Sequence, residues 1–123
     1  MHERRIHPRL QKAAVVTVIV RSAPEATDLE GRVFPCRLQD VSLGGVKLWV
    51  DIPVPVGALV ELEIVFGHSS EIYQHAGTVV WVWGGEGLTE WHNIGIRFNT
   101  LSSLQFSSWG SVLSELFRKC DAV

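Results

Sequence analysis

Residues 60–66 read Val60-Glu61-Leu62-Glu63-Ile64-Val65-Phe66. Apolar side chains stand at 60, 62, 64 and 66, with carboxylates at 61 and 63. Successive side chains of a strand point to opposite faces, so this alternation describes a strand with one face buried and the other wet. Upstream, Val46, Leu48 and Val50 alternate with Lys47, Trp49 and Asp51 and predict a second such strand. Pro53, Pro55 and Gly57 break the chain between the two. Downstream, a turn around Gly67 to Ser70 leads into a long strand from Ile72 to about Trp83, closed by Gly84 to Gly87. His92, Ile94, Ile96 and Phe98 then alternate with Asn93, Gly95, Arg97 and Asn99, which turns Arg97 away from the core.

Nearer the N-terminus, the β-branched run Ala13 to Val20 predicts a strand. Ser22 to Gly31 is polar, contains Pro24, and reads as a loop. Val33 to Leu38 forms a further strand with Phe34, Cys36 and Leu38 on one face, and Pro35 marks an edge or a bulge. After Thr100 the period changes. Leu101, Leu104, Ser108, Val112, Leu113, Leu116 and Phe117 recur at three and four residues, so an amphipathic α-helix of about 101–119 follows, with Gly110 in its middle. Six or so short strands with turn signals between them predict a mainly β domain, a small antiparallel barrel or sandwich. The helix is expected to cover an open end or edge.

The chain has 123 residues, enough for one domain with a real core; 46% are hydrophobic and 20% charged. A formal net charge of -2 argues against a general polyanion binder, so no DNA or RNA partner is expected. Any anion recognition must be local. Arg4, Arg5, His7, Arg9 and Lys12 crowd residues 1–12, which hold four of the eleven Lys and Arg. Pro8 disfavours a helical residue before it, so the arm is expected to be extended and flexible. Arg5 and Arg9 then stand up to about 13 Å apart, the span of a small molecule.

The run at 13–20 is too short to cross a bilayer and no apolar leader segment stands out, so a cytoplasmic protein with no membrane span is expected. Cys36 and Cys120 read as reduced thiols in that setting. His2, His7, His68, His75 and His92 are scattered without metal-ligand spacing. No catalytic motif stands out, so neither an enzyme nor a cofactor is expected.

Two short motifs carry a specific signal. Arg5-Ile-His-Pro-Arg9 is an RxxxR arm with Arg4 directly before it, and Asp40-Val-Ser42-Leu-Gly44-Gly45 lies between two strands. With Gly95-Ile-Arg-Phe98 in the last strand, these resemble the PilZ domain family in motif order and spacing along nearly the whole chain. The resemblance implies a six-stranded antiparallel β-barrel over residues 13–123, with its C-terminal helix, behind the arm at 1–12. It also implies that cyclic di-GMP is the ligand and that Arg5, Arg9, Asp40, Ser42 and Gly45 touch it. Family members with an arginine at the position of Arg4 tend to take an intercalated ligand dimer.

The chemistry agrees. Arg meets the O6 and N7 acceptors of guanine with two parallel hydrogen bonds, and pairs bidentately with phosphate. A carboxylate such as Asp40 accepts from the guanine N1 and N2 donors, and Ser42 donates or accepts. Gly44 and Gly45 permit φ > 0 and close backbone approach. Trp81 and Trp83 share one face of the long strand, and Trp81 and Arg97 are further candidate ligand contacts.

The expected function is a ligand-gated adaptor whose arm orders on cyclic di-GMP and whose changed surface is read by an effector protein. One alternative is a ligand-independent protein–protein interaction module on the same barrel. Another is a single-stranded nucleic-acid binder using the five tryptophans, which the near-neutral charge disfavours.

Overall fold

The structure is a computed structural model that describes residues 14–67, 71–84, 91–99 and 103–121, with helix side chains described at 105 and 107–116. The basic arm at 1–12, and with it Arg4, Arg5 and Arg9, lies outside the described residues. Six strands form: β1 (Ala14–Ser22), β2 (Val33–Val41), β3 (Gly45–Val50), β4 (Leu59–Phe66), β5 (Tyr73–Trp83) and β6 (His92–Phe98). One helix follows, α1 (Ser103–Asp121).

The strands close into an antiparallel barrel in the order β1-β2-β3-β6-β5-β4, with β4 pairing back onto β1. Closure removes the free edges that six amphipathic strands would otherwise expose. The alternation read in the sequence is the alternation of burial. Val60, Leu62, Ile64 and Phe66 of β4 point inward to meet Val16, Val18 and Val20 of β1, Leu48 of β3 and Ile94 of β6. Glu61 faces out and pairs with Arg21 of the neighbouring strand at 2.9 Å. That contact holds Glu61 below and Arg21 above their ordinary pKa values, chiefly through the shared hydrogen bond.

Three local points refine or change the expectation. First, β2 runs three residues beyond Leu38 through a bulge at Gln39, so Asp40 sits on the strand rather than in the turn. Second, of the two positions expected for Pro35, an edge or a bulge, it takes the edge. Residues Val33 to Arg37 of β2 pair with β1, whereas pairing with β3 begins at Arg37. Pro35 therefore lies where β2 has one ladder only, and its missing N–H costs no bond there. Third, the inward face of α1 includes Trp109, which the periodic set left out, and not Ser108, which it contained. Trp109 and Leu113 are buried, Val112 and Leu116 pack beside them, and Ser108 is exposed.

Trp109 reaches the barrel end where β4 and β6 finish and β5 starts. It contacts Phe66, Tyr73, His75 and Phe98, with ring centroids 4.4–6.3 Å from its own. Among the described side chains, Trp109 is the large one with which the helix closes this end.

Candidate functional site

The turn between β2 and β3 is built by the Asp40-Val-Ser42-Leu-Gly44-Gly45 motif. The Ser42 backbone N–H donates to the Gly45 carbonyl at 2.9 Å, closing a tight four-residue turn, and the Ser42 hydroxyl makes a longer bond to the same oxygen at 3.5 Å. The Gly44 carbonyl accepts from the Phe98 N–H at 2.9 Å, which fastens the turn to β6. Asp40 and Ser42 are both buried.

Neither Gly44 nor Gly45 adopts a positive φ; among the described residues only Gly31, Gly57 and Gly84 do. What Gly45 supplies is room. A Cβ there would stand 2.2 Å from the Ile96 carbonyl oxygen, so any side chain would force β3 and β6 apart.

Strand register then assembles a row on the outside of the barrel. Asp40 of β2 pairs with Lys47 of β3, Lys47 with Gly95 of β6, and Gly95 with Trp81 of β5. Paired residues of antiparallel strands share a face, so these four form one line across four strands. The Lys47 ammonium lies 3.9 Å from an Asp40 carboxylate oxygen and 5.9 Å from the centre of the Trp81 ring, over its face. Trp81 lies flat because Gly95 has no side chain: a Cβ would fall 2.1 Å from the indole Nε1. A bulge between Val79 and Trp81 brings the tryptophan into that register. Arg97, exposed as its alternation requires, pairs with Gly45 one row away.

The structure thus brings Asp40, Ser42, Gly44, Gly45, Trp81 and Arg97 onto one wall of the barrel. Reading the sequence missed Lys47 and the seat that Gly95 makes for Trp81. The signal for Lys47 was present, since it faces outward two residues after Gly45. Trp83 stands one row further along with Asn93, Trp49 and Arg37, and is 70% exposed. Asn93 donates to the Gln39 side chain and to the Leu48 carbonyl, which ties the β2 bulge to the wall.

A carboxylate, an ammonium, a guanidinium and a flat indole on one surface suit a ligand with aromatic bases and phosphates. An indole can stack on a base, the cations can meet phosphate, and the carboxylate can accept from base N–H groups. No group of metal-binding side chains occurs among the described residues, and no helix there is long and apolar enough to cross a membrane.

None of the curated proteins compared matches the chain. Solved structures do. The PilZ domain of YcgR from Escherichia coli, solved with c-di-GMP, superposes with a TM-score of 0.64 at 17% identity, over 98% of this chain and all of that one. K. pneumonia MrkH in its c-di-GMP complex gives 0.71 at 15% identity, and the Bacillus subtilis inhibitor of motility MotI gives 0.65 at 12%. Each of these two matches over 98% of this chain, which spans about half of them: 55% of MrkH and 54% of MotI. These likenesses fix the barrel-plus-helix fold. The sequence model of the PilZ domain matches residues 3–110, most of the chain and a range that contains all three motifs, and the chain therefore belongs to the PilZ domain family.

Proposed function

We propose that this chain is a cyclic di-GMP receptor and adaptor that works by binding and release, without a reaction of its own, in the cytoplasm. The observation that carries the reading is the outer row Asp40–Lys47–Gly95–Trp81 beside the Ser42–Gly45 turn, in a chain that also has the RxxxR arm. Support also comes from two PilZ-fold relatives, YcgR and MrkH, whose solved structures contain c-di-GMP.

In this reading Asp40 accepts hydrogen bonds from a guanine, and Ser42, Gly44 and Gly45 offer backbone and hydroxyl groups beside it. Trp81 offers a stacking surface, and Arg97 flanks it. Arg5 and Arg9 bind phosphate and the guanine O6 and N7 edge from the arm. Arg4 adds the charge that a second, intercalated ligand molecule needs. Phosphate neutralises the clustered arginines, the arm folds over the bases, and an effector protein reads the new surface.

Isothermal titration calorimetry with cyclic di-GMP is the direct test, with Arg9→Ala as control. Removing one charge-assisted contact costs about 1.5–3 kcal/mol, so the variant should bind roughly ten- to a hundredfold more weakly. The stoichiometry distinguishes one ligand from two. No heat from the wild-type protein at high ligand concentration would overturn the reading in favour of a ligand-independent interaction module.

A further inference from the structure

The carbonyl of Ser42 is held from outside the turn. The indole N–H of Trp109, in α1, donates to it at 3.2 Å in a buried setting. The next helix residue, Gly110, faces Leu43 of the same turn; a Cβ on Gly110 would stand 3.5 Å from a Leu43 methyl. Two consecutive residues of α1 therefore face the two middle positions of the motif.

Packing alone places the indole but gives its N–H no partner. Phe66, Tyr73, His75 and Phe98 bound it on the barrel side. Beside it, however, a cleft of about 350 Å³ runs between β5 and α1, lined by Ile72, Tyr73, His75, Gln105, Ser108 and Val112. A ring bordered by a cleft is not locked by van der Waals contact all round. On the other side the hydrogen bond to Ser42 fixes the direction of the N–H edge.

We infer that Trp109 is a positioning residue for the ligand site: its N–H fixes the Ser42 carbonyl, so that the binding turn and α1 are set together. The inference rests on the reading of this turn as part of a cyclic di-GMP site. It makes α1 the element that senses the state of the turn, although no described side chain of α1 belongs to the outer wall.

Trp109→Phe keeps an aromatic ring and removes the N–H. Amide exchange at residues 43–45 of the ligand-free variant should quicken about tenfold beyond whatever change β1 and β4 show from the lost ring volume, and affinity for cyclic di-GMP should fall about two- to tenfold, the range of one neutral hydrogen bond. A purely structural role predicts something else: faster exchange throughout the barrel in step with a lower melting temperature. That result would overturn the inference, as would unchanged exchange at 43–45. Should Trp109→Phe fail to fold, benzothienylalanine at 109 keeps the bicyclic shape without the N–H and gives the same readouts. Absence of wild-type binding would refute the site reading alone, because the exchange comparison needs no ligand.

Discussion

Two glycines show how the same change has different consequences on one wall. At Gly45 the obstacle to a side chain is the Ile96 carbonyl, a backbone atom inside the β3–β6 ladder. At Gly95 it is the indole of Trp81, a half-exposed side chain able to swing away. Gly45→Ala should therefore cost about 1–3 kcal/mol of stability, the usual range for overpacking, read by chemical denaturation. Gly95→Ala should cost under about 1 kcal/mol yet displace Trp81. Its signature is altered tryptophan fluorescence and weaker cyclic di-GMP binding at a nearly unchanged denaturation midpoint. Equal stability losses at the two positions would mean that Trp81 is not the obstacle. Cys36 is a contrasting case: a free thiol whose burial, with help from the Asp51 charge, pushes its pKa up to about 12, so it stays protonated and inert inside the barrel.

At the scale of elements, α1 is the least regular fit between local preference and packing. Gly110 sits mid-helix, where glycine is about 1 kcal/mol worse than alanine. The space above it is ordinary contact distance from Leu43, so Gly110→Ala meets no clash. The substitution should raise stability by about 0.5–1 kcal/mol, measured by thermal or denaturant unfolding. A loss instead would show that Leu43 must approach more closely than it does here. Leu113→Ala should go the other way by about 2–4 kcal/mol, since Leu113 is buried under the helix in the same cluster as Trp109. The β2 bulge at Gln39 makes the same point for strands: it carries Asp40 into register with Lys47, which a regular β2 ending at Leu38 would not do.

For the molecule as a whole, the helix-capped end of the barrel contains a titratable group. His75 is buried, stacked on Phe98 at 4.2 Å and edge-on to Trp109, with its Nδ1 lacking a hydrogen-bond partner. Burial lowers its pKa from 6.5 to about 4. Above pH 6.5 the ring is neutral in both folded and unfolded chains and carries no penalty. Between pH 6.5 and about 4 the unfolded chain takes up a proton that the folded one refuses, so stability falls, and below that range the loss levels off. The loss amounts to no more than about 3.5 kcal/mol, and less to the extent that water reaches the ring edge. Denaturation midpoints of wild type and His75→Phe across pH 4–7 test this. The variant, which keeps the stack and cannot titrate, should lose distinctly less stability on acidification; parallel curves would remove His75 from the effect.

The sequence by itself determined whatever depends on neighbours in the chain. Period-two alternation set the strands and their inward faces, as in Val60 to Phe66, and the change of period after Thr100 marked the helix. The Asp40-to-Gly45 turn and the Gly95-Ile-Arg-Phe98 strand were legible as motifs, because a tight turn and a close backbone approach need particular residues at fixed spacings. Tertiary structure alone decided what depends on pairing between distant segments. That β3 lies against β6 and that β4 closes onto β1 follow from barrel closure, which no single strand encodes. The meeting of Lys47, Gly95 and Trp81 needs three strands in one register, and a bulge in β5 to reach it. Trp109 was hidden for a related reason. Helical spacing shows which residues share a face, but which member of that face enters the barrel depends on the ring of aromatic side chains that receives it.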